Sequence, residues 1–335
     1  MWQRWVLARR PVGVPGPQDF RLDEGALPDP GENEMLVRTD YISIDPGMRS
    51  RLSRDSYAPA LPLDSVIESA GIGTVIASRN TKFREGDWVS GAIGWQSHVM
   101  SSGRGLTKLN PALFTGLVRP TAAIGILGIP GLTAYFGLRD LGAPKPGQTL
   151  LVSSAAGTVG ATALQIGKLD GLTVVGIAGG PDKTAYVRSL GADTVIDYKA
   201  SRDLPSQLAQ AIPQGVDIYF DNVGAATLDA AIRVMNLRGR IIVSGQIAEY
   251  NAAAPAGIRN TLDFIPKRLR MEGLVVFDYA ARFAEAQAEM AQWIQDGKLT
   301  YREHIVPGLG QAPSAFVSLF SGEMTGRVLV KVSES

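Results

Sequence analysis

Between about residue 148 and residue 277 the chain alternates short β-branched apolar runs with amphipathic stretches, the pattern of a parallel sheet buried between helices. The runs are TLLVS (149–153), LTVVGIA (172–178), DTVID (193–197), VDIYFDN (216–222), RIIVSG (240–245) and GLVVF (273–277). Six strands joined by helical crossovers predict a doubly wound α/β unit, because right-handed crossovers leave few other topologies. The punctuation agrees. Gly171 closes the first helix, Pro181 opens the second in its first turn, Gly191 stops it, and Gly297 ends the last, AARFAEAQAEMAQWIQDG.

Residues 1 to about 120 read differently, with strand-like pieces (EMLVRTDYISID, GIGTVIAS, DWVSGAIGWQSHVMS) separated by Gly, Pro and Asp turns. They predict an all-β, barrel-like domain. After Gly297, β signals return in YREHIVPG and GRVLVKV around a short PSAFVSLFSG helix, so the C-terminus is expected to fold back onto the first domain. The expected organisation is 1–122 for the N-terminal part of the β domain, 123–297 for the α/β domain and 298–335 for the return. The most apolar stretch, PTAAIGILGIPGLTAYFGL (120–138), approaches membrane-spanning length, but Pro130 and Gly125, Gly128, Gly131 and Gly137 interrupt it. It predicts a buried helix-turn-helix between the two domains.

Composition narrows the partners. A chain of 335 residues exceeds one comfortable core, so two domains are expected. Thirty-three Lys and Arg against 32 Asp and Glu leave a net charge of +1, which gathers neither nucleic acid nor an anionic membrane. Small molecules are the expected partners. The absence of cysteine excludes disulfides, thiolate zinc sites and cysteine nucleophiles, and fits a reducing compartment. With Arg4, Arg9 and Arg10 near the start and no continuous apolar run, the opening lacks the look of a secretory signal, so a cytoplasmic location is expected. The two histidines, His98 and His304, lack ligand spacing, and no metal site is expected.

The candidate chemistry starts at AAGTVG (155–160), a dinucleotide fingerprint with Ala155 in place of its first glycine. Such a turn alone also serves plain strand-helix packing. Its setting after TLLVS, before a helix with Val159, Ala163 and Ile166 on one stripe, points to a nucleotide. Gly157 then lets the backbone approach a pyrophosphate, Gly160 allows close helix-strand contact, and the amides near Thr158 and Val159 face the ligand from a positive helix end. At the end of the second strand, Ala178, Gly179 and Gly180 stand where an NAD-preferring site carries an acid, and Lys183 follows. NADPH is favoured over NADH. Lys183 also reads as an ordinary solvated lysine, and Tyr198 either covers the same phosphate or caps a core edge.

The chain resembles the zinc-independent medium-chain dehydrogenases/reductases, in particular the alkenal/one oxidoreductase group that contains prostaglandin and curcumin reductases. The similarity spans essentially the whole length and rests on YISIDPGMR (41–49), GWQSHVMS (94–101), LGIPGLTAYFGL (127–138), AAGTVG, GIAGGPDK (176–183), FDNVG (220–224) and LRMEGLVVF (269–277). It implies a Rossmann domain beside a GroES-like β-barrel domain, and a homodimer. It also implies that Gly157, Thr158, Val159 and Gly160 hold the pyrophosphate of NADPH and that Lys183 and Tyr198 hold its 2′-phosphate. Further cofactor contacts are implied at Asn222, at Ser244, Gly245, Ile247 and Tyr250, and at Leu274 and Val276; an Asn ending a strand is equally a turn residue. Three positions depart from the family pattern. Gly47 stands where members carry Tyr in DPYMR, Met324 replaces an Asn associated with the nicotinamide amide, and Pro266 stands where prostaglandin reductases have Tyr.

Without a metal, a hydride from a nicotinamide can still reach a carbon conjugated to a carbonyl, because the charge collects on oxygen as an enolate. A phenol suits that oxygen as hydrogen-bond and proton donor. The candidates are Tyr57 and Tyr250, which match pocket tyrosines of the curcumin-reductase branch and would face each other from the two domains; both also read as packing residues of a cleft. Arg49 reads as an anion contact or a structural ion pair. The expected function is NADPH-dependent reduction of the C=C bond of α,β-unsaturated ketones and aldehydes. The alternatives are a quinone reductase on the same scaffold and a non-catalytic NADPH-binding protein.

Overall fold

The computed structural model describes residues 1–56, 58–200 and 203–332. The chain divides into two compact units, Met1–Gly125 with Glu303–Ser335, and Ile126–Arg302. The first unit opens with β1 (Trp2–Leu7), β2 (Phe20–Gly25), β3 (Met35–Ser43), the helical turn α1 (Met48–Arg51), β4 (Ala70–Ser78), β5 (Trp88–Ala92), β6 (His98–Ser101) and β7 (Leu106–Lys108). The second unit runs α2 (Ile129–Phe136), β8 (Thr149–Val152), α3 (Thr158–Leu169), β9 (Thr173–Ala178), α4 (Pro181–Ser189), β10 (Thr194–Asp197) and α5 (Leu204–Ala211). It continues through β11 (Val216–Asp221), α6 (Ala225–Val234), β12 (Met235–Val243), α7 (Phe264–Lys267), β13 (Arg270–Gly273) and α8 (Phe283–Gln295). The chain then returns to the first unit with β14 (Glu303–Pro307), α9 (Ala312–Ser318) and β15 (Arg327–Lys331).

In the second unit the order β10-β9-β8-β11-β12-β13 makes a six-stranded parallel sheet. Renumbered within the unit this is 3-2-1-4-5-6, the doubly wound Rossmann order, which reverses direction between β8 and β11. Leu150, Leu151 and Val152 of β8 are wholly buried, as a central parallel strand covered on both faces requires. The carboxyl ends of β8, β9, β11 and β12 therefore converge on one edge of the sheet, the edge where such folds bind their ligands.

The first unit is a mixed sheet in the order β14-β15-β3-β4-β5-β7, with β6 also on β3 and a separate antiparallel pair β1-β2. β15 enters between β14, to which it is parallel, and β3, to which it is antiparallel. The core includes Phe20, Trp95 and Phe316, whose ring centroids lie 5.5, 5.8 and 6.3 Å apart. Among the described residues no helix is long and apolar enough to cross a membrane.

Three expected elements shift. The sixth strand is Arg270–Gly273, all four positions exposed, whereas GLVVF leads into a 3-10 helix at Val276. An edge strand has only one ladder neighbour and needs no apolar run, while Val276, 6% exposed, packs as core beyond it. The stretch 120–138 is a 3-10 turn at Pro120–Ile124 followed by α2, which Pro130 opens. Its tail, Gly137–Gly142, continues as a π-helix. The fifth strand begins at Met235, five residues before the apolar RIIVSG run.

Candidate functional site

The turn after β8 explains its missing glycine. The left-handed residue is Ser154, with φ +50°, and it is exposed; Ala155 is fully buried and donates its N–H to the Ile177 carbonyl at 3.0 Å. Ala155 thus sits where no glycine conformation is needed. At Gly160 a Cβ would stand 2.4 Å from the Ser154 carbonyl oxygen and 2.9 Å from the Ala155 Cα, so α3 can lie against the turn only through a glycine. Gly157 differs. It caps α3 with φ −79°, and a Cβ there would meet nothing nearer than the Ser154 Oγ at 3.3 Å. The fold itself hardly requires that glycine, which leaves bare backbone at the start of a twelve-residue helix whose first amides have no intrahelical acceptor. Thr158 and Val159 are half-buried in that first turn.

At the ends of β11 and β12 a buried carboxylate organises the next two segments. Asp221 Oδ1 accepts from the Tyr219 hydroxyl at 2.7 Å, the Ser153 hydroxyl at 3.2 Å and the N–H groups of Val223 and Gly224 at 3.1 and 3.0 Å. Burial raises the Asp221 carboxyl above the usual range, although these donors pull the other way. The Asn222 side chain donates to the Ser153 carbonyl at 2.8 Å, and its N–H donates to the Ser153 Oγ at 2.9 Å. Ser244 and Gly245 donate to the Asp221 carbonyl, and Ile247 to that of Asn222, so 244–247 hangs from the end of β11. Tyr250 is half-buried, and its hydroxyl accepts from the Gln246 N–H at 3.3 Å and lies 3.3 Å from where a Gly245 Cβ would be. Leu274 donates its N–H to the Val243 carbonyl and packs against Gly137. The Val276 side chain belongs to the core, so only its backbone is available to a ligand.

The end of β9 joins a third set. Gly180 (φ +88°) donates its N–H to Asp197 Oδ1 at 2.9 Å, and Lys199 N–H donates to the same oxygen at 2.9 Å. The Tyr198 ring lies on Gly179, where a Cβ would come within 2.6 Å of it, and Tyr198 remains 45% exposed. Lys183, in the first turn of α4, is half-buried; burial first, and the charge of Lys199 second, lower its pKa. Sequence reasoning missed three residues of this edge: Ser154, Asp197 and Asp221. Asp221 alone left a trace, as an Asp two positions after Tyr219 on the same strand face.

In the first unit, Tyr57 lies outside the described residues. Gly47 has φ −60° and ψ −24°, with open space where its Cβ would be, so any residue fits its backbone. Arg49 is 4% exposed and donates to the Gly13 and Pro11 carbonyls at 2.8 and 3.3 Å and to Ser53 at 2.6 Å. These bonds to the Pro11 and Gly13 carbonyls fasten the 11–13 segment. Met324 packs against the core of this unit. His98 is half-buried beside the Ser97 hydroxyl at 3.0 Å, and His304 is exposed. Among the described residues no three His, Asp or Glu side chains are grouped to hold a metal ion.

A doubly wound sheet with a glycine-bearing first turn, inserted into a mixed β unit that the C-terminal strands complete, defines a medium-chain dehydrogenase/reductase. Comparison with known proteins agrees, and the chain belongs to the zinc-independent enone and alkenal reductase group of that family. Residues 3–109 match a family model described as the N-terminal domain of oxidoreductase, and residues 158–295 match one described as zinc-binding dehydrogenase. The chain, which contains no cysteine, is 43% identical to an NADPH-dependent curcumin reductase of Escherichia coli, covering 99% of this chain and 97% of the relative. It is 39% identical to a 2-alkenal reductase (NADP(+)-dependent) of Nicotiana tabacum, covering 98% and 96%. A crystal structure of CurA from Vibrio vulnificus in complex with NADPH superposes with a TM-score of 0.92 at 41% identity, covering 99% of this chain and all of that one.

Proposed function

We propose that the protein is an NADPH-dependent reductase of the carbon–carbon double bond of α,β-unsaturated ketones and aldehydes. The observation that carries this reading is the full-length similarity to reductases named for curcumin and for 2-alkenals. The residues present fit the cofactor. Gly157 leaves backbone uncovered at a helix start, Gly179 makes room for the Tyr198 ring, and Lys183 stands in the first turn of the helix that follows. In this assignment Gly157, Thr158, Val159 and Gly160 hold the pyrophosphate, and Lys183 and Tyr198 hold the 2′-phosphate. Asn222, Ser244, Gly245, Ile247, Leu274 and Val276 form the walls toward the nicotinamide. The chemistry that NADPH would supply when held there is a hydride for the β-carbon of the acceptor. The charge that gathers on the acceptor oxygen is met by the hydroxyl of Tyr250 or Tyr57, which donates a hydrogen bond and delivers a proton toward the α-carbon.

The same reading makes the protein a cytoplasmic homodimer. The uncovered edge of β13, followed by exposed Val275 and Phe277, is the kind of edge that a second copy closes. Sedimentation at micromolar concentration checks it, and a monomer overturns that part. The catalytic assignment is tested by NADPH oxidation with a panel of enones, alkenals and simple quinones and with no acceptor, with products identified by mass and NMR. The expected products are saturated ketones and aldehydes. A second reading, a quinone reductase, draws on the likeness to an Escherichia coli quinone oxidoreductase complexed with NADPH, TM-score 0.77 at 25% identity. Quinones consumed rapidly while enones are not would establish that reading instead.

A further inference from the structure

β12 and β13 begin at the end of the sheet opposite the glycine turn, and four arginines meet there. Arg238, Arg240, Arg268 and Arg270 line one open cavity, a surface depression of about 330 Å³. Arg240 and Arg270 are direct register partners across the two strands, a placement in which like charges repel. Arg238 and Arg268 hold left-handed backbones, φ +62° and +50°, which side chains other than Asn and Asp rarely adopt. Arg240 is tied at its two terminal nitrogens to the Ala143 carbonyl (2.8 Å) and Gln148 Oε1 (2.7 Å), while its Nε is buried without a partner. Glu272 lies 3.6 Å from Arg270, with both side chains largely in solvent, and Asp217 acts on Arg240 from a distance.

We propose that this cavity binds a small multivalent phosphate-bearing anion, of the class of inorganic pyrophosphate or a nucleoside diphosphate, at a site separate from that of the dinucleotide. The volume is at the small end of ligand pockets. Guanidinium forks match phosphate oxygens in pairs, and an anion with several charges removes the repulsion that the sequence builds into this corner. The segments assigned to the cofactor, 244–250 and 274–276, follow the far ends of β12 and β13, so the two sites lie at opposite ends of the same strands. Closing the β13 edge with a second copy uses its backbone, whereas Arg240 and Arg270, in register on neighbouring strands, present their side chains to one face of the sheet.

The test is calorimetric titration of the NADPH-saturated enzyme, in which the cofactor phosphate site is already filled, with inorganic pyrophosphate, with ADP, and with chloride at matched ionic strength. The wild type should bind pyrophosphate or ADP and ignore chloride. ADP binding well above pyrophosphate identifies a nucleotide as the ligand type, and equal binding identifies the phosphates alone. The Arg238→Asn/Arg268→Asn variant keeps residues suited to the left-handed backbone and should weaken binding roughly tenfold or more, with the NADPH constant unchanged. No binding to the wild type, or equal binding to wild type and variant when circular dichroism shows both folded, overturns the proposal.

Discussion

Lys183 is half-buried, its pKa lowered by burial and by Lys199, so an anion beside it stabilises its charged form. Lys183→Ala is expected to weaken NADPH binding by about 1.5–3 kcal/mol, the cost of one charge-assisted hydrogen bond, and to leave NADH nearly unaffected. Fluorescence titration with both cofactors decides it, since an equal loss for both would refute a 2′-phosphate contact. For the reacting oxygen, either Tyr250→Phe or Tyr57→Phe should lower kcat by about 10²–10³ while NADPH affinity holds. Near-normal turnover in both single variants and the double variant would leave the phenols without a chemical role. The places of Gly157 and Lys183 at two helix starts are legible in the sequence, because strand, turn and helix signals follow one another there. Asp221 is not, since its importance comes from donors on three segments that meet only in the fold. Ser154 escapes for a related reason, as its left-handed backbone leaves no mark in residue type.

The glycine turn and α3 separate two reasons for glycine within one element. A methyl at position 160 meets backbone atoms that cannot move aside, so Gly160→Ala is expected to destabilise the protein by about 1–3 kcal/mol. At position 157 the backbone angles are ordinary and space is adequate, so Gly157→Ala should cost under about 1 kcal/mol of stability. Its effect should fall on NADPH, whose dissociation constant should rise. Urea unfolding with and without NADPH reads both, and a large stability loss for Gly157→Ala would show that this glycine serves packing instead. The central strands of the sheet are legible because burial on both faces demands continuous apolar runs. The edge strand is not, because Arg270–Gly273 carries no apolar period, and of the apolar run that follows only Val276 is buried in the core beyond it. Where β12 starts is hidden for the same reason, as its first turn-like residues, Asn236 to Arg238, are polar or exposed.

Across the whole molecule the chain must leave the mixed sheet for the second unit and return, and a buried ion pair fastens the return. Arg327 opens β15 at 5% exposure; it donates to the Ile124 carbonyl at 2.9 Å and pairs with Asp45, its Nη2 at 3.0 Å from Oδ2. It thus joins the last strand, the loop after β3 and the end of the Pro120–Ile124 turn. The returning strands are legible from their β-branched runs, but this pairing across 282 positions is not, because neither residue belongs to a local pattern. Burial alone would raise the Asp45 carboxyl; the charge and hydrogen bonds of Arg327 and the Ser43 hydroxyl outweigh it and hold the pKa below 3.8. A lowered folded value means that the unfolded chain takes up the proton first. The stability from Asp45 is therefore fully present above its ordinary pKa and is lost as pH falls through 3.8 toward the folded value. Glu303, held above its ordinary 4.5 by burial, acts oppositely, its contribution declining as pH rises through that value. Asp45→Asn should cost about 2–4 kcal/mol near neutral pH, below the full range for a broken buried pair because Asp45 keeps a third of its side-chain surface in water. As pH falls below the ordinary carboxylate range the variant and the wild type should converge, because the wild type loses the same charge. Denaturant unfolding of both proteins from pH 7 to pH 3 measures the gap, and a difference that stays constant with pH would show that Asp45 acts through packing and hydrogen bonds rather than through its charge.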